Sequence, residues 1–200
     1  FFEKFPSIQV AVDADRKNGI EQLLSLPEKP EVILLDDAFQ HRKVKAGFYI
    51  LLTSYGDLYS DDCMLPTGNL RETRSGAKRA DLIVVTKCPF DLSLDKQNDI
   101  RKRLKLSVNQ QLYFTFIAYD TFVYGEKQKV NINEIQSTVK VLVAGIAKPE
   151  PFFTYLKNTN DVCLSFPDHH NFTEKDILEI TKTAQNNIII TTEKDYMRLK

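Results

Sequence analysis

Uninterrupted apolar runs recur along the chain at Gln9–Val12, Val32–Leu35, Phe48–Leu52, Leu82–Thr86, Leu112–Ala118, Val141–Gly145, Val162–Phe166 and Ile188–Thr191. Runs of this kind, without polar alternation, suit strands covered on both faces, as in a parallel sheet flanked by helices. Helix-compatible stretches lie between many of them: Lys17–Leu26, Leu94–Leu106, Glu150–Asn158 and Thr173–Gln185. The alternation predicts an α/β protein with largely parallel strands. Thr173 followed by Glu174, Lys175 and Asp176 reads as a helix start, with acid in the first turn where it suits the helix dipole. Residues 113–130, YFTFIAYDTFVYGEKQKV, break the pattern; they are aromatic and β-branched, with Gly125 as a turn. They predict a β-ribbon linking two α/β lobes, 1–115 and a smaller 116–200.

Composition narrows the function classes. Among 200 residues, Lys plus Arg and Asp plus Glu are 27 each, so the net charge is zero. No global field draws the chain to nucleic acid, which is not expected as a partner. Cys63, Cys88 and Cys163 are scattered without metal-ligand spacing and read as free thiols in a reducing compartment. The longest apolar runs span about five residues, far short of the roughly 18 that cross a membrane. The chain opens on FFEKFPSIQV, with no initiator Met and no signal peptide, and reads as a piece of something longer.

The densest chemistry is at residues 31–42, EVILLDDAFQHR. Asp36 and Asp37 are expected at the carboxyl end of a strand Val32–Leu35, the edge where open α/β sheets bind ligands. Two adjacent carboxylates repel unless a cation sits between them. A Walker B reading supplies one, as Mg²⁺ beside nucleotide phosphates. Gln40, His41 and Arg42 add donors and a cation next to the pair. The plainer reading is an apolar run that simply ends in Asp.

Four further segments stand out. Met64–Glu72, MLPTGNLRE, is a loop shaped by Pro66 and Gly68. Its Arg71, with Arg74, Lys78 and Arg79, forms a basic patch suited to bidentate phosphate binding, or else a solvated charge run. Ala80–Lys87 is a buried strand with a Thr-Lys tip, similar to the base-recognition strand of P-loop GTPases but followed by Pro89 and Phe90 in place of the distal Asp. Phe166–His170, FPDHH, sets two of the three histidines beside an aspartate, a pairing suited to proton transfer or to capping the next helix. Thr192–Asp195, TEKD, reads as a solvated strand end.

In this order the segments resemble the tetraacyldisaccharide 4′-kinase (lipid A 4′-kinase) family. Asp36–His41 matches its DDGFQH, with Ala38 in place of Gly. Leu65–Glu72 matches its LPAGPLRE, with Thr67 and Asn69 as departures. RAD…VVTK, Ala144–Pro149, FPDHH and TEKD fall in register. The resemblance implies a P-loop-NTPase-like kinase core, with ATP and Mg²⁺ as cofactors and Asp36 and Asp37 as metal-binding catalytic residues. It assigns Gln40, His41, Arg71 and Glu72 to the acceptor, tetraacyldisaccharide 1-phosphate, a lipid A precursor. His169 would assist a catalytic Asp, and Asp168 would orient the loop. The family's Walker A loop and membrane-anchoring helix are expected N-terminal to these residues, which contain no GxxxxGK[ST]. The 200 residues alone are therefore expected to be inactive. Action is expected at the cytoplasmic face of a bacterial inner membrane. Two alternatives are a GTPase-like regulatory protein and a non-catalytic module that binds lipid or sugar phosphate. Oligomeric state and acyl-chain specificity have no signal here.

Overall fold

The computed structural model describes residues 5–126 and 128–199. The chain divides into two compact units, Phe1–Ala118 and Tyr119–Lys200. Both are α/β with parallel sheets, as the alternation of apolar runs predicts.

In the first unit, helix α1 (Arg16–Leu24) starts at Asp15, whose side chain accepts from Lys17 N–H. Strands β1 (Ile50–Ser54), β2 (Leu82–Thr86) and β3 (Gln111–Phe114) form a parallel sheet in that order. A short 3₁₀ helix, Arg74–Arg79, leads into β2. Helix α2 (Leu94–Leu104), capped by Ser93, crosses from β2 to β3. Its buried Ile100 and Leu104 are one turn apart and pack with Leu58, Ile83 and Val85. Central strand β2 supplies the deepest side chains, since both of its neighbours are strands.

Two expected strands are not formed. Gln9–Val12 and Val32–Leu35 have no strand partner among the described residues. Val12, Val32 and Leu34 are 97%, 74% and 88% exposed, so the double burial read from their composition fails. A strand exists as a hydrogen-bonded ladder, and β propensity without a neighbour does not make one. Asp36 and Asp37 therefore lie in a turn after Leu35, not at a strand tip.

In the second unit, β4 (Phe122–Tyr124) and β5 (Lys129–Asn131) form an antiparallel ribbon, and α3 (Ile132–Ser137) follows. The ribbon is shorter than residues 113–130, because Tyr113 and Phe114 belong to β3. Strands β6 (Lys140–Ala144), β7 (Val162–Ser165) and β8 (Ile188–Thr191) form a parallel sheet in the order β7-β6-β8. Helices α4 (Glu150–Leu156) and α5 (Glu174–Ala184) make the crossovers. Strand β6 is buried throughout and feeds two cores. Leu142 packs with Ile135, Leu156 and Ile190, whereas Val141 and Val143 pack with Ile180 and Ala184. That split is the period-two alternation of a strand. The ammonium of Lys140 is buried 2.6 Å from Asp161.

Thr192–Asp195 is not a solvated strand end. β8 stops at Thr191 and helix α6 (Glu193–Leu199) begins. Asp195 is fully buried, and it exchanges hydrogen bonds with Thr192 at 2.7 and 3.1 Å. Thr-x-x-Asp is a capping-box spacing, a local signal that outweighs the charge of the tetrapeptide. No helix among the described residues is long and apolar enough to cross a membrane.

Candidate active site

The Asp36–Arg42 loop is held to the first unit by its one large apolar residue. Phe39 packs against the core around Ile83, meets Tyr49 edge to face at 6.2 Å, and lies under the Arg79 guanidinium at 4.7 Å. Arg79 also donates to the Phe39 carbonyl at 3.0 Å. With Phe39 turned inward, Asp36, Asp37 and Gln40 stay exposed. Asp37 carries the left-handed backbone of the turn, with φ 44°. Asp tolerates this conformation better than most residues, and Ala38 beside it has no positive φ of its own. His41 donates its N–H to Ala38, and its buried Nε2 has no hydrogen-bond partner.

The Met64–Glu72 loop folds around a carboxylate. Asp62 accepts from the N–H of Cys63 at 2.7 Å and of Asn69 at 3.1 Å. A Cβ on Gly68 would stand 2.2 Å from an Asp62 oxygen, so no side chain fits there. Arg74 donates to the Asp62 carbonyl at 2.9 Å.

The two loops meet, although about thirty residues separate them in sequence. Glu72 accepts from Arg79 at 2.7 and 2.9 Å and from Arg42 at 2.9 Å. The fork from Arg79 is the main reason that the Glu72 carboxyl titrates below the usual range; Arg42 adds to it against the cost of burial. Arg71, by contrast, is exposed and lies 3.3 Å from Asp37, a loose contact. Asp37 with Arg71, and Glu72 with Arg42 and Arg79, thus form two charge groups joined by the Arg71–Glu72 peptide link. Gln40 is near them in sequence but makes no bond to them. Arg79 was legible only as part of a basic patch. In the structure it is the clamp that joins the loops.

No three His, Cys, Asp or Glu side chains come together as a metal-ligating group among the described residues. Two carboxylates nevertheless fit Mg²⁺, which takes one or two protein oxygens and completes its shell with water and phosphate. Asp36 offers both oxygens, whereas Asp37 would share its charge between a metal and Arg71.

His169 belongs to the second unit, at the carboxyl edge of its sheet. Its φ is 59°, a left-handed residue in the turn after β7. The imidazole is exposed and faces Arg198 at 2.9 Å through Nδ1. Asp168 accepts from Lys194 at 3.0 Å, and this bond is the first cause of its lowered pKa. Asp168 also receives the His169 N–H at 3.0 Å. His170 points elsewhere, bonding Asp176 at 3.0 Å between the rings of Phe166 and Phe172. Lys194 and Arg198 were not singled out by sequence as site residues. The i, i+4 spacing on α6 was the available signal, and reading TEKD as a strand end hid it.

The family model for tetraacyldisaccharide-1-P 4′-kinase matches residues 2–200. The chain belongs to the tetraacyldisaccharide 4′-kinase family. A protein of that name from Flavobacterium johnsoniae is 66% identical over 200 residues, covering 100% of this chain and 59% of the relative. One from Flavobacterium psychrophilum is 62% identical with the same coverage, and one from Bacteroides thetaiotaomicron is 47% identical over 98% of this chain and 56% of its own. The chain thus spans somewhat more than half the length of these kinases. No solved structure matches it.

Proposed function

We propose that the protein to which this chain belongs is a lipid kinase that transfers the γ-phosphoryl group of ATP to the 4′-hydroxyl of tetraacyldisaccharide 1-phosphate. The match of the family model across residues 2–200 carries this reading. On it, 1–115 are part of the kinase core and 116–200 are the second lobe. The work is done at the cytoplasmic face of a bacterial inner membrane, where lipid A is assembled.

Phosphoryl transfer is mainly positioning and charge neutralisation. Asp36 and Asp37 would hold Mg²⁺, which when bound neutralises charge on the transferred phosphoryl group. Arg71 has its guanidinium exposed and only loosely paired, so it is free to take a phosphate of the acceptor. Gln40 offers its exposed amide to the sugar, and His41 beside it, with Nε2 buried, is left Nδ1 for the same contact. Glu72 contributes differently from the direct contact expected from sequence. Its carboxylate is occupied by two arginines, and it holds the acceptor loop against the Asp36–Arg42 loop. His169 assists the carboxylate that accepts the hydroxyl proton, a group the family resemblance assigns outside these 200 residues.

The test is an assay of the full-length protein with ATP, Mg²⁺ and tetraacyldisaccharide 1-phosphate. A product that carries a new 4′-phosphate, lost on chelation of Mg²⁺, supports the reading. Absence of that product with a competent acceptor would refute it.

A further inference from the structure

The roles above leave helix α6 unused, yet two of its residues converge on His169 and a third backs one of them. Lys194 and Arg198 stand one turn apart and both reach the ring. Arg198 Nη2 lies 2.9 Å from Nδ1, and Lys194 Nζ lies 3.5 Å from Nε2. Behind them is Asp195, whose Oδ2 accepts from Gly145 N–H at the end of β6 at 2.9 Å and from the Thr192 hydroxyl at 2.7 Å. Its other oxygen faces Arg198 Nη1 at 3.7 Å. Both of those atoms are buried without a hydrogen-bond partner, so ion pairing with each other is their compensation. A line of contacts therefore runs from the central strand through a buried carboxylate and a guanidinium to the imidazole.

The chemistry of the donors fixes the ring. A guanidinium has donors and no acceptor. A 2.9 Å contact with Nδ1 requires the lone pair of that nitrogen, which leaves the proton of the neutral ring on Nε2. Lys194 can only donate too, but its ammonium is engaged by Asp168 at 3.0 Å and sits at the limit of reach from Nε2. The Asp168 carboxylate, 3.7 Å from Nε2, lies on the protonated side. His169 itself has a left-handed backbone, which His adopts more readily than most residues.

We propose that Arg198, aimed by Asp195 from the end of β6, is a positioning residue that holds His169 as the tautomer with its proton on Nε2. A fixed Nε2–H is a hydrogen-bond donor for a carboxylate, which is what an assisting histidine must offer. The catalytic consequence rests on the role of His169 proposed above; the tautomer does not.

The experiment is histidine-selective ¹⁵N NMR of the full-length protein at alkaline pH, with the His169 signals assigned from His169→Gln. Arg198→Met and Arg198→Lys are compared in the same way and by steady-state kinetics. The wild type is expected to show a bare Nδ1 and a protonated Nε2. The Met variant should mix the two tautomers, and Lys should retain most of the original. In the Met variant kcat should fall by about tenfold to a hundredfold, the range for losing a partner that orients a metal-bound histidine, with both KM values nearly unchanged and partial rescue by Lys. A wild-type His169 protonated on Nδ1 overturns the proposal even if the Met variant does not fold. A Met variant with an unchanged tautomer also overturns it. Mixed tautomers with unchanged kcat sustain the Arg198 contact and remove the catalytic reading of His169.

Discussion

Glu72 and Arg79 meet fork to fork, with nitrogen–oxygen distances of 2.7 and 2.9 Å, and the same guanidinium lies over the ring of Phe39. One ion pair therefore fixes the two loops most characteristic of the family against each other. Both side chains are largely shielded from water, so the contact is bidentate and partly desolvated, unlike an ordinary surface pair.

Removing this clamp should cost stability. Glu72→Gln is expected to destabilise the protein by about 2 kcal/mol at neutral pH, typical of hydrogen bonds to charged groups. The folded Glu72 pKa lies below its unfolded value, so the carboxylate's contribution is complete above the ordinary Glu pKa of about 4.3. It is lost as the pH falls through the folded pKa. Urea midpoints of wild type and variant should differ at neutral pH and converge in acid. A constant difference would show that the charge of Glu72 contributes nothing.

Gly76 lies in the 3₁₀ helix beneath the same carboxylate. A Cβ there would stand 2.5 Å from a Glu72 oxygen and 3.0 Å from Arg79. Gly76→Ala should therefore resemble Glu72→Gln in thermal melting, and combining the two should cost less than their sum. Full additivity would mean that the contact is not shared.

Much of this was legible in the sequence, and what was missed has identifiable causes. Uninterrupted apolar runs located β1, β2, β3, β6, β7 and β8, although only β2 and β6 are central and the four edge strands stay partly exposed. The same rule failed at Val32–Leu35, where pairing, which no single segment encodes, is missing among the described residues. The motifs named Asp37, Arg71 and Glu72, but pairwise contacts decided their partners. The resemblance assigned Glu72 to the acceptor, and in the structure its carboxylate accepts from Arg79 and Arg42. Asp195 looked solvated and is buried, because capping spacing was weighed below charge.

Arg71 and Asp37 are both exposed, so their pairing should contribute little to stability. A double-mutant cycle is expected to give less than about 1 kcal/mol. Arg71→Ala should melt like the wild type and raise the acceptor KM more than the ATP KM, by an amount equivalent to about 1.5–3 kcal/mol. A selective rise in the KM of ATP would assign the loop to the nucleotide instead.

The two neighbouring histidines should separate cleanly. His169→Ala should lower kcat with little change in melting temperature. His170→Ala should lower the melting temperature and leave kcat near normal, since His170 bonds Asp176 in the capping box of α5. Asp176 is held down to about 2 by the Thr173 backbone N–H, then by the Thr173 hydroxyl and His170. Its stabilising effect should therefore persist below the ordinary Asp range near pH 3.9 and disappear as the pH falls towards about 2. Acid melts of Asp176→Asn against wild type check this. Equal kinetic losses at both histidines would contradict the division.

The most direct measurement is Mg²⁺-dependent turnover of tetraacyldisaccharide 1-phosphate by the full-length protein carrying Asp36→Ala or Asp37→Ala. Both carboxylates are exposed in the first unit and are the oxygen donors proposed for Mg²⁺. Each substitution is expected to lower kcat at least about a hundredfold, as for loss of a main electrostatic contributor, while the fold is retained. Near-normal, Mg²⁺-dependent turnover in either variant would contradict the assignment of this pair as the metal site of the kinase.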